Sequence, residues 1–425
     1  MPSVRERVEA ANQLACKNMI EAEPFLLDVR KALDVVPGML PNLILHSGPP
    51  IEWDRMSLPQ KNGIIGAILF EGLAHDPYQA EGAVRSGEIL LSPCHGHGVV
   101  GSMAGATSAS MQVFMVKNRV HGNLSFSQIY GRGRNMLTFG IFNNVVLEDY
   151  HWTHSVLAQA IATGVRTSGG INLRNIITRA LTMGDECHGR SMAGTYHFIL
   201  ELLPAMSRGG VEAEMLGTWA QFAIDNFNTF LFLNMAAAKN IADTAHGIPY
   251  STIVTAMSRN GVDFGIRVSG LGDQWFTAPA PQIDGLYFSS RWSKADALPD
   301  MGDSSITETI GLGGFVLSNA PALIQMIGGT LEEARRYTQE MYEITTTTNP
   351  NFLLPAWDFR GAPLGIDIRK VVQVNISPII DTAIAGKKGG FIGIGINRAP
   401  MKVFSNALKA FTERYISKET IEERI

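Results

Sequence analysis

Residues Asn172–Gly184 read NLRNIITRALTMG. Leu173, Ile176, Ile177, Ala180 and Leu181 recur at i, i+3, i+4, i+7 and i+8, the spacing of one apolar helix face. Asn172 stands at the N-cap position, and Gly184 is placed to stop the helix. Leu157–Gly164, Thr195–Leu203, Glu212–Phe222 and Phe230–Asp243 carry the same period. Residues 148–247 therefore read as an all-α insert.

The flanks differ in style. Before the insert, LILHSGPP (43–50), EILLSP (88–93) and QVFMV (112–116) read as strands, and Ile64–Leu73 as a helix. Residues 4–34 read as a helix interrupted at Pro24. After the insert, strands are expected at Gly265–Val268, Gly285–Phe288, Lys370–Asn375 and Gly390–Ile396. Helices are expected at Ala320–Met326, Leu331–Glu343 and Val403–Tyr415. The expected fold is α+β: mixed α/β portions at 1–147 and 248–425, with the helical insert 148–247 between them.

Composition narrows the function classes. Among 425 residues, 45% are apolar and 17% charged, a folded composition. A net charge of −4 without a basic run gives no case for nucleic acid or an anionic membrane as partner. No apolar run reaches the roughly 20 residues of a membrane span. The N-terminus MPSVRERVEAANQ lacks the apolar core of a secretory signal. Cys16, Cys94 and Cys187 are too scattered for a disulfide framework, so a reducing cytoplasm is expected.

Three clusters carry chemistry. Ser92–His97, SPCHGH, sets His95 and His97 around a glycine in a strand-to-loop turn, where either can act as acid or base. Gly96–Gly101 also fits GxGxxG. The strand at Gln112 follows too soon for a crossover helix, and the acid a dinucleotide site needs is missing. In the second cluster, Met183–Arg190, Asp185 or Glu186 can orient His188, and Arg190 can hold an anion. The third is Met257–Phe315, MSRNGVDFGIRVSGLGDQWFTAPAPQIDGLYFSSRWSKADALPDMGDSSITETIGLGGF. It holds Arg259, Asn260, Arg267, Asp300, Asp303 and Ser304 among glycines, as a polar substrate would require. Arg259 and Arg267 stand in an apolar strand context, so each must pair with an acid such as Asp263 or Asp273, or bind an anion. The Asp300–Ser305 turn also suits an N-cap for a helix near Thr307. No metal or other cofactor is assigned. Zinc on Cys94, His95 and His97, and magnesium at the Asp300–Asp303 turn, stay open as alternatives.

The blocks SPCHGHGVVGSMAG, MGDECHGRSMAGT, FLFLNMAAAKN, VTAMSRNGVDFGIRVSGLGDQWFTAPA, PDMGDSSITETIGLGGF and GAPLGIDIRKVV, in this order, resemble the YlbE-like or AllG-like family. The resemblance runs from about Leu33 to Leu408. It departs at Gly96, where the family pattern has a third histidine, at Gly189, where it has asparagine, and at Cys187, which lies outside the pattern. The resemblance implies an α+β fold with a helical insert. It also implies a subunit of oxamate carbamoyltransferase, which moves a carbamoyl group between oxamate and phosphate in allantoin breakdown. An FdrA-like subunit and a further small subunit are the implied partners, and a homodimer is expected.

For that chemistry, His95, His97 and His188 are candidates for proton transfer, with Asp185 or Glu186 orienting. Arg190, Arg259 and Arg267 are candidates for the anions. Backbone amides near Gly96–Gly101 or Gly311–Gly314 are candidates for the oxyanion. The alternatives are a non-catalytic substrate-binding scaffold for the FdrA-like partner and a metal-dependent amidohydrolase acting alone.

Overall fold

The first helix, Val4–Glu21, opens with a capping box between Ser3 and Glu6 and buries Val8, Ala11, Ala15 and Met19. It does not extend to residue 34. In this computed structural model, which describes residues 2–416 except 130, 133–135 and 227, Pro24–Lys31 is a strand. Pro24, lacking an N–H, is suited to the first position of that strand. The strand pairs antiparallel with Gln112–Asn118, with a bulge between Leu26 and Asp28. The bulge breaks the period-two alternation that marks a strand in sequence.

The fold is α+β, with 48% helix, 23% strand and several small mixed sheets. The largest sheet runs in the order Val99–Val100, Leu124–Gln128, Gln112–Asn118, Pro24–Lys31 and Ile171–Asn172. Leu43–His46 pairs in parallel with Leu90–Pro93. Their crossover holds helix Leu58–Phe70 and a further helix, Pro77–Ser86, that the apolar pattern does not reveal.

From Asn144 to Ala242 the chain is helical apart from short connections and Ile171–Asn172, which pairs with Pro24–Lys31. The Asn172 side chain caps helix Leu173–Thr182 by accepting from Asn175 N, and Gly184 follows at φ +83°. Helix Phe230–Ala242 is buried throughout. It lies on the largest sheet, where Ser125 and Ser127 donate to the carbonyls of Ala236 and Phe232. Its apolar side chains belong to the interior, in a core cluster that runs from Val8 to Phe411.

The last third carries two small sheets and a hairpin. One sheet orders Phe276–Pro279, Asp263–Val268, Val254–Asn260 and Met301–Gly302. The other orders Asp284–Tyr287, Phe391–Arg398 and Ile379–Ala385. Thr345–Leu354 pairs with Arg360–Ile366. The strand expected at Lys370–Asn375 is instead part of helix Ile368–Val374, because Asp367 caps it by accepting from Arg369 N. The helices expected at 320–326, 331–343 and 403–415 form as Pro321–Met326, Leu331–Ile344 and Met401–Tyr415. Among the described residues, no helix is long and apolar enough to cross a membrane.

Gly311 joins the short helix Ile306–Thr309 to the segment behind it at φ +86°, and a Cβ there would run into the Pro363 carbonyl. Gly210 has a similar φ, +82°, with open space around it. Gly210→Ala should therefore cost only the left-handed strain, about 1–2 kcal/mol. Gly311→Ala should cost clearly more, because backbone must move as well. Urea denaturation of the two variants tests this; equal losses would refute the packing argument.

Candidate active site

Two buried histidine centres lie on either side of a buried ion pair. The first is built by the turn after helix Leu173–Thr182. There Cys187 adopts φ +68°, unusual for a residue with a Cβ, and its carbonyl accepts from Asn234 Nδ2. The Glu186 carboxylate ties the turn by accepting from His188 N (3.1 Å) and Arg190 N (2.6 Å). His188 Nδ1 then lies 2.7 Å from Glu308 Oε1 and 3.6 Å from Asp381 Oδ1.

Both acids are held by backbone. Glu308 accepts from Gly314 N (3.0 Å) and from Thr307 Oγ1 (2.9 Å). Asp381 sits in strand Ile379–Ala385, and its Oδ2 accepts from Gly189 N (2.8 Å).

Burial and mutual charge set the protonation of this centre. Burial pushes Asp381 up to about 7, opposed by His188 and aided by Glu308. Burial also raises Glu186 well above the carboxylate range, with Asp381 adding to the rise. For His188, burial favours the neutral ring, but Glu308 and Asp381 outweigh it and raise the imidazole. Glu308 is conversely held low by His188 against its own burial. A proton between His188 and Glu308 is therefore well held, and Asp381 is poised to exchange one near neutrality.

A cavity of about 440 Å³ adjoins this centre, with Met103, Phe139, Gly189, Leu231, Ala383 and Phe391 in its wall. Ala383 shares a strand face with Asp381, and Gly189 donates to it, so the acid cluster lies behind the part of the wall that these two residues form.

The second centre surrounds Asp303. Its carboxylate accepts from Gly48 N and Gly101 N, each at 2.8 Å, and from the Ser258 hydroxyl. His95 Nε2 lies 3.6 Å away, and the His95 ring meets Trp275 edge-on. Burial pulls His95 well below its ordinary value, helped by the charges of Lys239 and Arg267, so this ring is neutral. Burial raises Asp303 to about 6.

Between the centres, Arg259 and Asp300 form a fully buried, two-pronged ion pair, Nε–Oδ2 2.8 Å and Nη2–Oδ1 3.0 Å. Arg259 also donates to Gly302 O (2.8 Å) and Thr382 Oγ1 (2.9 Å), and Ser304 Oγ lies 3.4 Å away. Asn397 Nδ2 donates to Asp300 (2.8 Å).

The sequence candidates thus separate. His188 and Glu186 meet in the first centre, His95 and Asp303 in the second, and Arg259, Asp300 and Ser304 between them. His97 lies apart, bonded to Pro37 O (2.7 Å) and Ser92 Oγ (2.9 Å). Asp185 does not orient His188; it pairs with Arg190 and accepts from Gly194 N at the start of helix Met192–Arg208. Asn260 braces a turn by accepting from Val262 N and Asp263 N.

Arg267 pairs with Asp273 and approaches His246, whereas Asp263 is taken by Arg55. The cap expected in the Asp300–Ser305 turn falls on Ser305, ahead of helix Ile306–Thr309. The amides of Gly101, Gly313 and Gly314 are already engaged, by Asp303, the Glu186 carbonyl and Glu308. Gly96–Gly101 leads into the two-residue strand Val99–Val100, not into a helix.

Reading the clusters one by one misses Asp381, Thr382 and Asn397, each on a strand far along the chain. It also misses Glu308 as the partner of His188, and Lys239. The DSSITETIGLGGF run could have pointed to Glu308, the acid among its hydroxyls and glycines. Among the described residues, His188, Glu308 and Asp381 are the group of three metal-type ligands whose donor atoms lie within 4.8 Å of one another; Cys94, His95 and His97 form no such group.

The architecture is that of an α+β protein with two buried histidine–carboxylate centres, one of them behind the wall of a largely apolar cavity. The family model for the oxamate carbamoyltransferase subunit AllG matches residues 89–304. The uncharacterized protein YahG of Escherichia coli K12 is 43% identical over 414 residues, spanning 96% of this chain and 87% of that protein. The oxamate carbamoyltransferase subunit AllG of the same organism is 39% identical over 411 residues, spanning 96% and 98%. A crystal structure of a conserved protein of unknown function from Enterococcus faecalis V583 superposes with a TM-score of 0.95. It is 42% identical and covers 98% of this chain and 100% of its own. The chain belongs to the AllG family.

Two predictions follow from the buried charges. Arg259→Ala leaves Asp300 buried and unpaired and should cost about 3–5 kcal/mol in chemical denaturation. A loss under 1 kcal/mol would contradict the geometry. Asp303, raised in the folded state, favours folding fully below the ordinary aspartate value, and this contribution is lost as pH rises through about 6. Asp303→Asn should therefore remove part of the fall in stability between pH 4 and 6, seen by denaturation across that range. An unchanged slope would mean that Asp303 is not raised.

Proposed function

We propose that this chain is the substrate-holding subunit of a carbamoyltransferase that moves a carbamoyl group between an oxamate-like amide nitrogen and phosphate. The observation that carries this reading is His188, bonded to Glu308 and backed by Asp381, buried behind Gly189 and Ala383 in the wall of a 440 Å³ cavity, in a chain of the AllG family. In the direction that makes carbamoyl phosphate, a phosphate oxygen attacks the carbamoyl carbon. The C–O bond forms, the C–N bond breaks, and the amide nitrogen leaves with a proton. The tetrahedral intermediate needs charge stabilised on its oxygen and a proton for its nitrogen. The His188 centre supplies a held proton behind the cavity wall, which combines apolar side chains with the polar Asp225, Asn226, Asn228 and Thr229.

Phosphate also needs cations. Arg190, Arg259 and Arg267 are each paired with an aspartate of this chain: Asp185, Asp300 and Asp273. This favours a shared site, in which an FdrA-like subunit brings the phosphate-binding charges to the cavity mouth. The setting would be cytoplasmic nitrogen catabolism of the allantoin type.

The test is phosphate release from carbamoyl phosphate with oxamate, using the chain alone and with its FdrA-like partner. Oxamate-dependent release that requires both proteins is expected. His188→Ala in the intact complex should lower turnover about 100-fold or more. Full activity of that variant would remove His188 from the chemistry. No release with any small amide, from a complex that forms well, would overturn the carbamoyl reading.

A further inference from the structure

We propose that His188, Glu308 and Asp381 form a binding site for one first-row divalent cation, of the zinc or manganese class. Ion and proton are alternative occupants of this centre: with the ion bound, His188 would not hold the proton that the carbamoyl reading assigns to it. The donor atoms already converge, His188 Nδ1 lying 2.7 Å from Glu308 Oε1 and 3.6 Å from Asp381 Oδ1. An ion about 2.0–2.2 Å from each donor holds neighbouring donors about 3–3.6 Å apart, so Glu308 must ease away from the ring, while all three donors already lie within 4.8 Å of one another.

Asp381 Oδ1 is the second observation. Asp381 is fully buried, and this oxygen accepts from no N–H or hydroxyl donor; what it faces is the other two ligands, His188 and the Glu308 carboxyl. Native proteins seldom leave such an atom unsatisfied.

The rest of the centre is prepared for a cation. Glu308 and Asp381 each have backbone donors fixing the carboxylate, the arrangement that orients metal ligands. Two carboxylates, Glu308 and Asp381, face a single imidazole. Arg259, which bears on His188 electrostatically, is committed to Asp300. One imidazole and two carboxylates suit zinc or manganese better than an all-oxygen site for calcium would. Gly189 gives the ion a way in, since it lines the cavity and has no side chain to cover Asp381. In the metal-free chain the proton between His188 and Glu308 occupies the place of the ion, so binding should release protons.

The test uses the full chain after chelator treatment, titrated calorimetrically with Zn²⁺ and with Mn²⁺ in buffers of different ionisation enthalpy. One ion per chain, with proton release, is expected for at least one of the two. Co²⁺ substitution should give d–d bands without a thiolate charge-transfer band. Asp381→Asn and His188→Gln, verified as folded by circular dichroism, should each weaken binding at least tenfold, while His97→Gln should not. Substoichiometric binding by the unaltered chain, a thiolate band, or undiminished binding in both ligand variants would overturn the proposal. Should the variants fail to fold, stoichiometry and the Co²⁺ spectrum of the unaltered chain decide it.

Discussion

The ion pair between Arg259 and Asp300 is the constraint on which both histidine centres depend. It is sealed from solvent, and its donors and acceptors reach four segments: strand Val254–Asn260, the turn at 300–304, and the strands carrying Thr382 and Asn397. In a low-dielectric interior a guanidinium and a carboxylate are stable only while their hydrogen bonds are made. Displacing any one segment would therefore strand a buried charge. The strands convert this local demand into register. Ser258 and Arg259 are neighbours on one strand, so they face opposite ways, toward Asp303 and Asp300. Asp381 and Thr382 divide in the same manner, one toward His188 and the other toward Arg259. Fixing Arg259 thereby fixes the acid of each centre.

The two histidines show how position decides chemistry. Both rings are buried, and burial alone favours the neutral form of each. Around His95 the neighbouring charges are cationic, from Lys239 and Arg267, and they drive it further toward neutrality. Around His188 they are carboxylates, and they reverse the effect of burial. The same side chain is thus a neutral partner for Asp303 in one centre and a proton holder in the other. The cavity adjoins the centre whose groups exchange protons near neutral pH, while His95 is packed against Trp275.

The helix Leu173–Thr182 was legible in the sequence because its apolar period is regular and its cap residues stand at the ends. Asn172 caps as its position predicts, and the helix stops before Gly184. The strands were less legible where both faces are buried. Val254–Asn260 and Ile379–Ala385 carry polar residues into the interior, so neither shows the apolar–polar alternation of a half-exposed strand. Lys370–Asn375 has the β-branched run of a strand, yet one capping carboxylate at Asp367 is enough to wind it into a short helix. Local propensity is weak beside a satisfied helix end.

The site was legible only in part, for a reason of distance along the chain. His188, Glu186, His95, Arg259 and Asp303 stand in glycine-rich blocks whose composition no packing core requires. Asp381 stands in IIDTAIA, where a lone acid in an apolar run has no local sign of a partner. Its partners are the amide of Gly189 and the ring of His188, nearly two hundred residues earlier. Asp185 and Glu186 illustrate the converse. Both adjoin His188 in sequence, yet neither carboxylate meets its ring, because the turn at Cys187 spends Glu186 on backbone amides and Asp185 on Arg190. In a tight turn the nearest acid is used to build the turn. The acid that orients the histidine must come from another segment, and the buried Arg259–Asp300 pair is what brings that segment into place.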